Sequence, residues 1–229
     1  MIYLTGDTHG KPARLSSQAM PFSKKWGKND MLIVCGDFGY LANGAAKEDL
    51  LLRELALRPY TICFLDGNRD NIDLLNTYPV TQWHGGMVHR IRHNIIHLMR
   101  GQVYEVDQHK IFTMGGGYSI DRYRLHEGVD WWANEMPSSA EYETARQNLQ
   151  AAGMEVDYIL THTSPTSASQ EIFAANAQEQ ELSDFLQCVK DEVTYQKWYF
   201  GHVHMDAALA DETYALFTAT RELTSAALL

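Results

Sequence analysis

The sequence predicts an α/β protein built from two sheets packed together and flanked by helices. Three observations carry that expectation. Short, almost continuously apolar runs recur along the chain, helical patterns separate several of them, and five of the runs end in Asp, Asn or His. A strand buried on both faces reads as an unbroken hydrophobic run.

Taken in order, Ile2 to Leu4, Met31 to Cys35, Thr61 to Leu65, Tyr158 to Leu160 and Trp198 to Phe200 are the predicted buried strands. Ala45 to Leu57 is leucine-rich and stops before Pro59, as a helix does, because the residue before proline disfavours the helical region. Ser138 to Gly153 has Ser138 and Glu141 spaced as a capping box, an apolar face of Tyr142, Ala145 and Leu149, and a terminal glycine. Leu182, Phe185, Leu186 and Val189 mark a third amphipathic helix. Ile95 to Leu98, Val103 to Val106, Lys110 to Met114, Ala207 to Leu209 and Tyr214 to Phe217 lack long helices between them and read as antiparallel meander strands. No repeat, low-complexity tract or linker divides the chain, so residues 1–229 are expected to form one domain. Residues 117–137 fit no regular pattern, and a connection of that length reads as a lid or substrate loop.

Composition narrows the function classes. With 45% hydrophobic and 21% charged residues, the 229-residue chain is ordinary globular protein. No stretch is long and apolar enough for a membrane span, and no secretory leader is predicted. Three cysteines, two of them inside predicted strands (Cys35 and Cys63), do not make a disulfide framework. These features lead to the expectation of a cytoplasmic protein. A net charge of −10 disfavours nonspecific nucleic-acid binding, which draws its affinity from Lys and Arg. It leaves room for a phosphate-bearing substrate, because bound divalent ions reverse the local sign.

The strand endings supply the chemistry. Ligands bind α/β sheets beyond the carboxyl ends of the strands, so Asp7, His9, Asp37, Asn68, His162, His202 and His204 are expected to share one crevice. Their oxygens and imidazoles suit Mn²⁺, Fe²⁺ or Zn²⁺ better than Ca²⁺. Seven donors are too many for one ion and fit two ions sharing a carboxylate. A single histidine at a strand end is more often hydrogen-bonded or solvated; the common placement of the set distinguishes it. His84, His89, His93, His97 and His109 follow no such ending and read as structural or solvated.

The stretches GDTHG, GDFG, GNRD, THTSP and GHVH, in that order from Asp7 to His204, resemble the motif series of the calcineurin-like metallophosphoesterases, in a bacterial or phage form carrying GNRD. The resemblance implies an αββα sandwich and hydrolysis of phosphoesters at two divalent ions, with Mn²⁺ expected and Fe, Zn²⁺ or Ni²⁺ as options. It implies one ion held by Asp7, His9, Asp37 and His204, and another held by Asp37, Asn68, His162 and His202. A hydroxide between them would attack phosphorus in line, without a phosphoenzyme. Asp70 resembles the family's carboxylate that orients its neighbours, and it also reads as an N-cap for the Ile72, Leu74, Leu75 run.

The chain departs from the common pattern at Arg69, where many relatives carry the histidine of GNH(D/E), cast as proton donor or phosphate partner. Arginine cannot donate a proton near neutral pH but can fork onto phosphate oxygens, so Arg69 is assigned to phosphate binding against a surface ion pair. Ser164, where the family often has proline, is a smaller departure. Within the long loop, Tyr118, Arg122 and Arg124 are candidate substrate contacts, and His126 is the loop's candidate for the missing acid. At least one of Trp131 and Trp132 is expected to pin the loop to the body, an aromatic of the loop could stack on a base, and Gly115 to Gly117 are expected to turn the chain rather than cradle phosphate.

The resulting expectation is a phosphodiesterase acting on a small phosphoester, with a nucleotide among the options. A phosphomonoesterase or Ser/Thr protein phosphatase is the alternative. A nuclease and a non-catalytic metal-binding scaffold rank lower, the scaffold because all seven ligand positions are filled.

Overall fold

The computed structural model describes residues 1–224. Its architecture is two mixed sheets face to face, each covered on its outer side by helices. The first sheet runs β13-β1-β2-β3-β6-β5-β4: β1 (Ile2–Thr5), β2 (Met31–Val34), β3 (Thr61–Phe64), β4 (Val80–Trp83), β5 (Gly86–Arg90), β6 (Ile95–Leu98) and β13 (Arg221–Glu222). The second runs β11-β12-β10-β9-β8-β7: β7 (Gln102–Val106), β8 (His109–Met114), β9 (Tyr158–Thr161), β10 (Lys197–Phe200), β11 (Ala207–Leu209) and β12 (Thr213–Ala215).

Strand periodicity explains the layering. Successive side chains on a strand point to opposite faces, so Ile2, Leu4, Ile33 and Cys63 face inward and meet Tyr104, Ile111, Tyr158 and Leu160 between the sheets. Their neighbours Tyr3, Leu32, Val34, Ile62 and Phe64 face outward against Leu52 and Leu55 of α1 (Ala46–Ala56). On the other side Phe112, Ile159, Trp198 and Phe200 pack under α3 (Ser139–Ala151) and α5 (Gln180–Glu192) through Ala145, Leu149, Leu182 and Leu186. Each large apolar side chain buried this way contributes roughly 1.5–3 kcal/mol. Strands buried on both faces have no polar side to show, which is why their sequences do not alternate.

The three long helices lie where the sequence places them, and the Ser138/Glu141 capping box is formed. Among the described residues no helix is long and apolar enough to cross a membrane. Some expectations change. β7 and β8 pair antiparallel, as do β11 and β12, but β6, β8 and β12 each also lie parallel to a neighbour, β3, β9 and β10 respectively. The last predicted strand, Tyr214 to Phe217, is shifted to Thr213–Ala215, because the Asp206 carboxylate accepts from the backbone N–H groups of Phe217, Thr218 and Ala219 and ends the ladder. The hairpin β4–β5 and the short β13 are additional. So is α4 (Thr166–Glu171), whereas α2 (Ile72–Leu75) forms on the expected Ile72, Leu74, Leu75 run.

This topology positions the site. β1, β2 and β3 are parallel, as are β9 and β10. Their carboxyl ends therefore open at one edge of the sandwich, where Asp7, Asp37, Asn68, His162 and His202 follow within a few residues.

Candidate active site

Five of the predicted ligands stand on backbone that non-glycine residues rarely adopt: φ is 44° at Asp7, 48° at His9, 49° at Asp37, 68° at His202 and 50° at His204. Left-handed backbone costs roughly 1–3 kcal/mol per residue and persists where the surroundings enforce it, most often at functional sites. Here it turns each chain sharply out of its strand, so the side chain points into the crevice rather than along the sheet. The adjoining glycines leave the space: a Cβ on Gly67 would collide with Asp37 Oδ1 and its backbone nitrogen, and one on Gly36 (φ 87°) with the His162 ring.

The donors converge in two groups. Asp7, His9, Asp37 and His204 each offer a ligand atom, and these atoms lie within 4.8 Å of one another. On the other side of Asp37, His162 Nε2 lies 3.1 Å from Asn68 Oδ1 and 3.6 Å from Asp37 Oδ1. The His202 ring stands 4.9 Å from that of His162. Asp37 has its other oxygen, Oδ2, 3.6 Å from His9 Nδ1, so its two oxygens face the two groups, as a shared carboxylate must.

The electrostatics fit cations. Asp7, Asp37 and Asp70 are all buried. Burial raises Asp37 well above the usual carboxylate range, and the neighbouring charges of Asp7 and Asp70 push the same way. Asp70 is raised to about 7, chiefly by burial against three backbone hydrogen bonds that oppose it. An acidic cluster this short of positive charge is what divalent ions neutralise. Burial pulls His9 and His162 down to about 4, which leaves them as the neutral imidazoles that ligate metals. His202 goes the other way: burial opposes its charge, but the Glu179 carboxylate 3.2 Å from Nε2 holds it up at about 9. The donor set therefore suits hard-to-borderline divalent ions: Asp7, His9, Asp37 and His204 could hold one, and Asp37, Asn68, His162 and His202 are the donors that could hold another.

The remaining predicted residues divide. Asp70 is not the cap of α2; Asn71 is, accepting from the Leu74 N–H. Asp70 instead accepts from the N–H groups of Phe38, Gly39 and Gly67 at 2.7–3.0 Å. It ties the loop after β2 to the loop after β3 and so fixes the spacing of Asp37 and Asn68, without reaching the crevice chemistry itself. Arg69 lines a cavity of about 730 Å³ at the metal ligands, together with Tyr118 and Arg124. Its guanidinium is paired 2.5 Å from Asp121 of the long loop. Arg122 is not brought to that cavity: it is bonded to buried Glu135 at 2.7 Å and sandwiched between the Tyr118 and Trp131 rings. His126 is not there either; its side chain is 85% exposed and faces Asp130. Trp132 is buried, as a pinning residue should be, and Gly116 (φ 91°) turns the chain, donating to the Asp66 carbonyl.

Sequence reasoning missed Ser119, Glu135 and Glu179, all buried. It also missed Phe173 and Ile120, which line the cavity yet are 97% and 69% exposed. An exposed aromatic carries no signal in a single sequence.

Two sheets opening at one edge onto two adjoining groups of carboxylate, amide and imidazole donors are suited to binding metal, and the family match places this arrangement among the metal-dependent phosphoester hydrolases. The family model described as calcineurin-like phosphoesterase matches residues 1–206, and the chain belongs to that family. A comparison with individually curated proteins found no match.

Proposed function

We propose that the protein is a phosphodiesterase acting on a small, nucleotide-like phosphoester. The observation that carries this reading is Arg69 at the cavity wall, in the position of the family's usual histidine, with Asp121 against it. A diester has one negative charge and two free oxygens, which a single guanidinium fork can grip. A monoester dianion has more charge than one arginine neutralises, and Asp121 adds repulsion. Arg69 holds a fixed charge and cannot pass a proton to a leaving group near neutral pH, so substrates whose leaving groups need little protonation are favoured.

The cavity supports an organic group beyond the phosphate. Its volume falls in the range of about 300–1,000 Å³ usual for small-molecule sites. Phe173 and Ile120 offer apolar walls to a base or aryl ring, and Arg124 and Tyr118 add polar and aromatic contact. Bound at the donors named above, a pair of divalent ions would supply Lewis acidity and a water of lowered pKa. The chain's own part is to hold Asp37 between the two donor groups, keep His9 and His162 neutral, and orient the phosphate with Arg69. Mn²⁺ is the proposed ion, with Fe, Zn²⁺ or Ni²⁺ as alternatives. The proposal takes the chain as one phosphoesterase domain. It takes the location as cytoplasmic, supported by the unpaired Cys35, Cys63 and Cys188.

The test is hydrolysis of a bis-aryl phosphodiester and its monoester analogue by Mn²⁺-loaded protein, with Arg69→His alongside. Faster diester turnover, and a shift toward the monoester in Arg69→His, is expected. Preference for the monoester in the wild type would overturn the diesterase reading and point to a phosphomonoesterase.

A further inference from the structure

We infer that Ser119, Glu135 and Glu179 are positioning residues that decide which atoms of Asn68 and His202 face the second ion, so that residues 117–137, together with Glu179 at the start of α5, orient two of that site's four ligands rather than merely covering it. The inference rests on the two-ion reading above and adds residues that the family's motifs do not contain.

The chain of hydrogen bonds has a direction. Glu135 is fully buried and can only accept when ionised. It takes the Ser119 N–H at 2.6 Å on one oxygen and the Ser119 hydroxyl at 2.8 Å on the other. The other acceptor within reach of that hydroxyl, the Asn68 carbonyl, is at 3.4 Å and uncharged, so the carboxylate takes the proton. With its hydrogen committed, Ser119 Oγ can only accept, and it accepts from Asn68 Nδ2 at 3.0 Å. The amide is thereby sorted: its NH₂ end faces the loop and Oδ1 faces His162 and Asp37. Arg122 closes the arrangement by neutralising Glu135, which is why this arginine is withheld from the cavity.

Glu179 sorts His202 in the same manner. Its Oε1 lies 3.2 Å from His202 Nε2 and accepts the Tyr118 N–H at 2.6 Å. Nε2–H is committed to the carboxylate, which leaves Nδ1 as the nitrogen free to ligate. His162 is sorted oppositely, with Nδ1 on the Cys35 carbonyl at 3.0 Å and Nε2 turned to Asn68 and Asp37. Partners that fix a ligand's orientation typically change metal affinity about 10–100-fold when removed. The first donor group, Asp7, His9, Asp37 and His204, has none of these contacts with Ser119 or Glu179, so the effect should fall on the second ion alone.

The test is Mn²⁺ titration of chelator-stripped full-length protein, following free and exchange-coupled Mn²⁺ by electron paramagnetic resonance, with cooperative thermal melting checked for every variant. Wild type should take two ions. Ser119→Ala and Glu179→Ala should weaken the second step about 10–100-fold and leave the first within about threefold. Glu179→Gln, which keeps an oxygen acceptor for Nε2–H, should recover most of the loss. An unchanged second step, or a first step that falls equally, would overturn the inference. Should Ser119→Ala fail to melt cooperatively, the Glu179 pair decides: equal second-ion affinity in Glu179→Ala and Glu179→Gln would also overturn it. Uptake of a single ion by wild type would instead remove the two-ion reading, and this inference with it.

Discussion

Replacing Arg100 with methionine should strongly destabilise the protein. The guanidinium is 2% exposed and Asp66 is fully buried. Arg100 Nε donates to Asp66 Oδ2 at 2.8 Å, and its terminal nitrogens reach Glu141 and the carbonyls of Asn134, Glu135 and Met136 at 3.0–3.2 Å. Methionine fills much of the volume, so lost packing is minor. What remains is a buried Asp66 carboxylate supported by His97 at 3.1 Å, and the Asn134 and Met136 carbonyls short of a donor at the loop's end, while that of Glu135 keeps the Gly117 N–H. Breaking a buried pair from one side costs about 3–5 kcal/mol, a large share of the about 5–15 kcal/mol of a typical domain. The assay is denaturant unfolding of metal-free protein at several pH values. In the wild type, burial pushes Asp66 up, but Arg100 and His97 more than reverse it and hold it well below the usual carboxylate range. A folded pKa below the unfolded value of about 3.9 contributes stability that is fully present above about pH 4 and lost as the pH falls through the folded value. The gap between wild type and Arg100→Met should therefore be widest near neutrality and shrink on acidification. A gap under about 1 kcal/mol at pH 7, in the range of an exposed ion pair, would refute the reasoning, as would one that widens in acid.

Three further outcomes are expected. Gly67→Ala should lower Mn²⁺ affinity at least about 10-fold, measured by calorimetric titration, because its Cβ would displace Asp37 Oδ1 and the Asp37 backbone; unaltered affinity would contradict the packing argument. Asp121→Asn removes the charge competing for Arg69 and should lower KM for the bis-aryl diester about 1.4–5-fold, matching the about 0.2–1 kcal/mol of a partly exposed pair; a raised KM would show that Asp121 aims Arg69 instead. His126→Ala should leave kcat and its pH profile unchanged, because the side chain is exposed and outside the cavity; loss of one limb of the profile would restore it as the acid.

The convergence of the candidate donors was legible because their signal is local: an apolar run that ends in glycine and a donor states both the strand and the point where it stops. Parallel strands then bring those ends together without any information about loops. The hairpin β4–β5 turns at His84-Gly85, whose φ values of 48° and 91° are those of a type I′ turn, but His-Gly lacks the Asn-Gly or Asp-Gly signature of such turns. β13 is two residues long, too short for any periodicity. Ser119, Glu135 and Glu179 were not legible, since nothing in GYSIDR, ANEMP or NAQEQE says that a polar residue is buried; only the tertiary fold decides that. Arg122 and Arg124 look equivalent in sequence, yet one neutralises Glu135 and the other lines the cavity. Asp70 reads as a helix cap because it is a capping residue type just ahead of the Ile72, Leu74, Leu75 run, but Asn71, directly before Ile72, takes that place.

The most direct test of the central claim, that Asp37 joins two donor groups into one hydrolytic centre, is Mn²⁺-dependent turnover of the bis-aryl phosphodiester by folded Asp37→Asn protein. The account predicts a fall of at least about 100-fold, because the substitution removes the charge shared by both ions. A folded Asp37→Asn protein that hydrolyses the diester at the wild-type rate would contradict it.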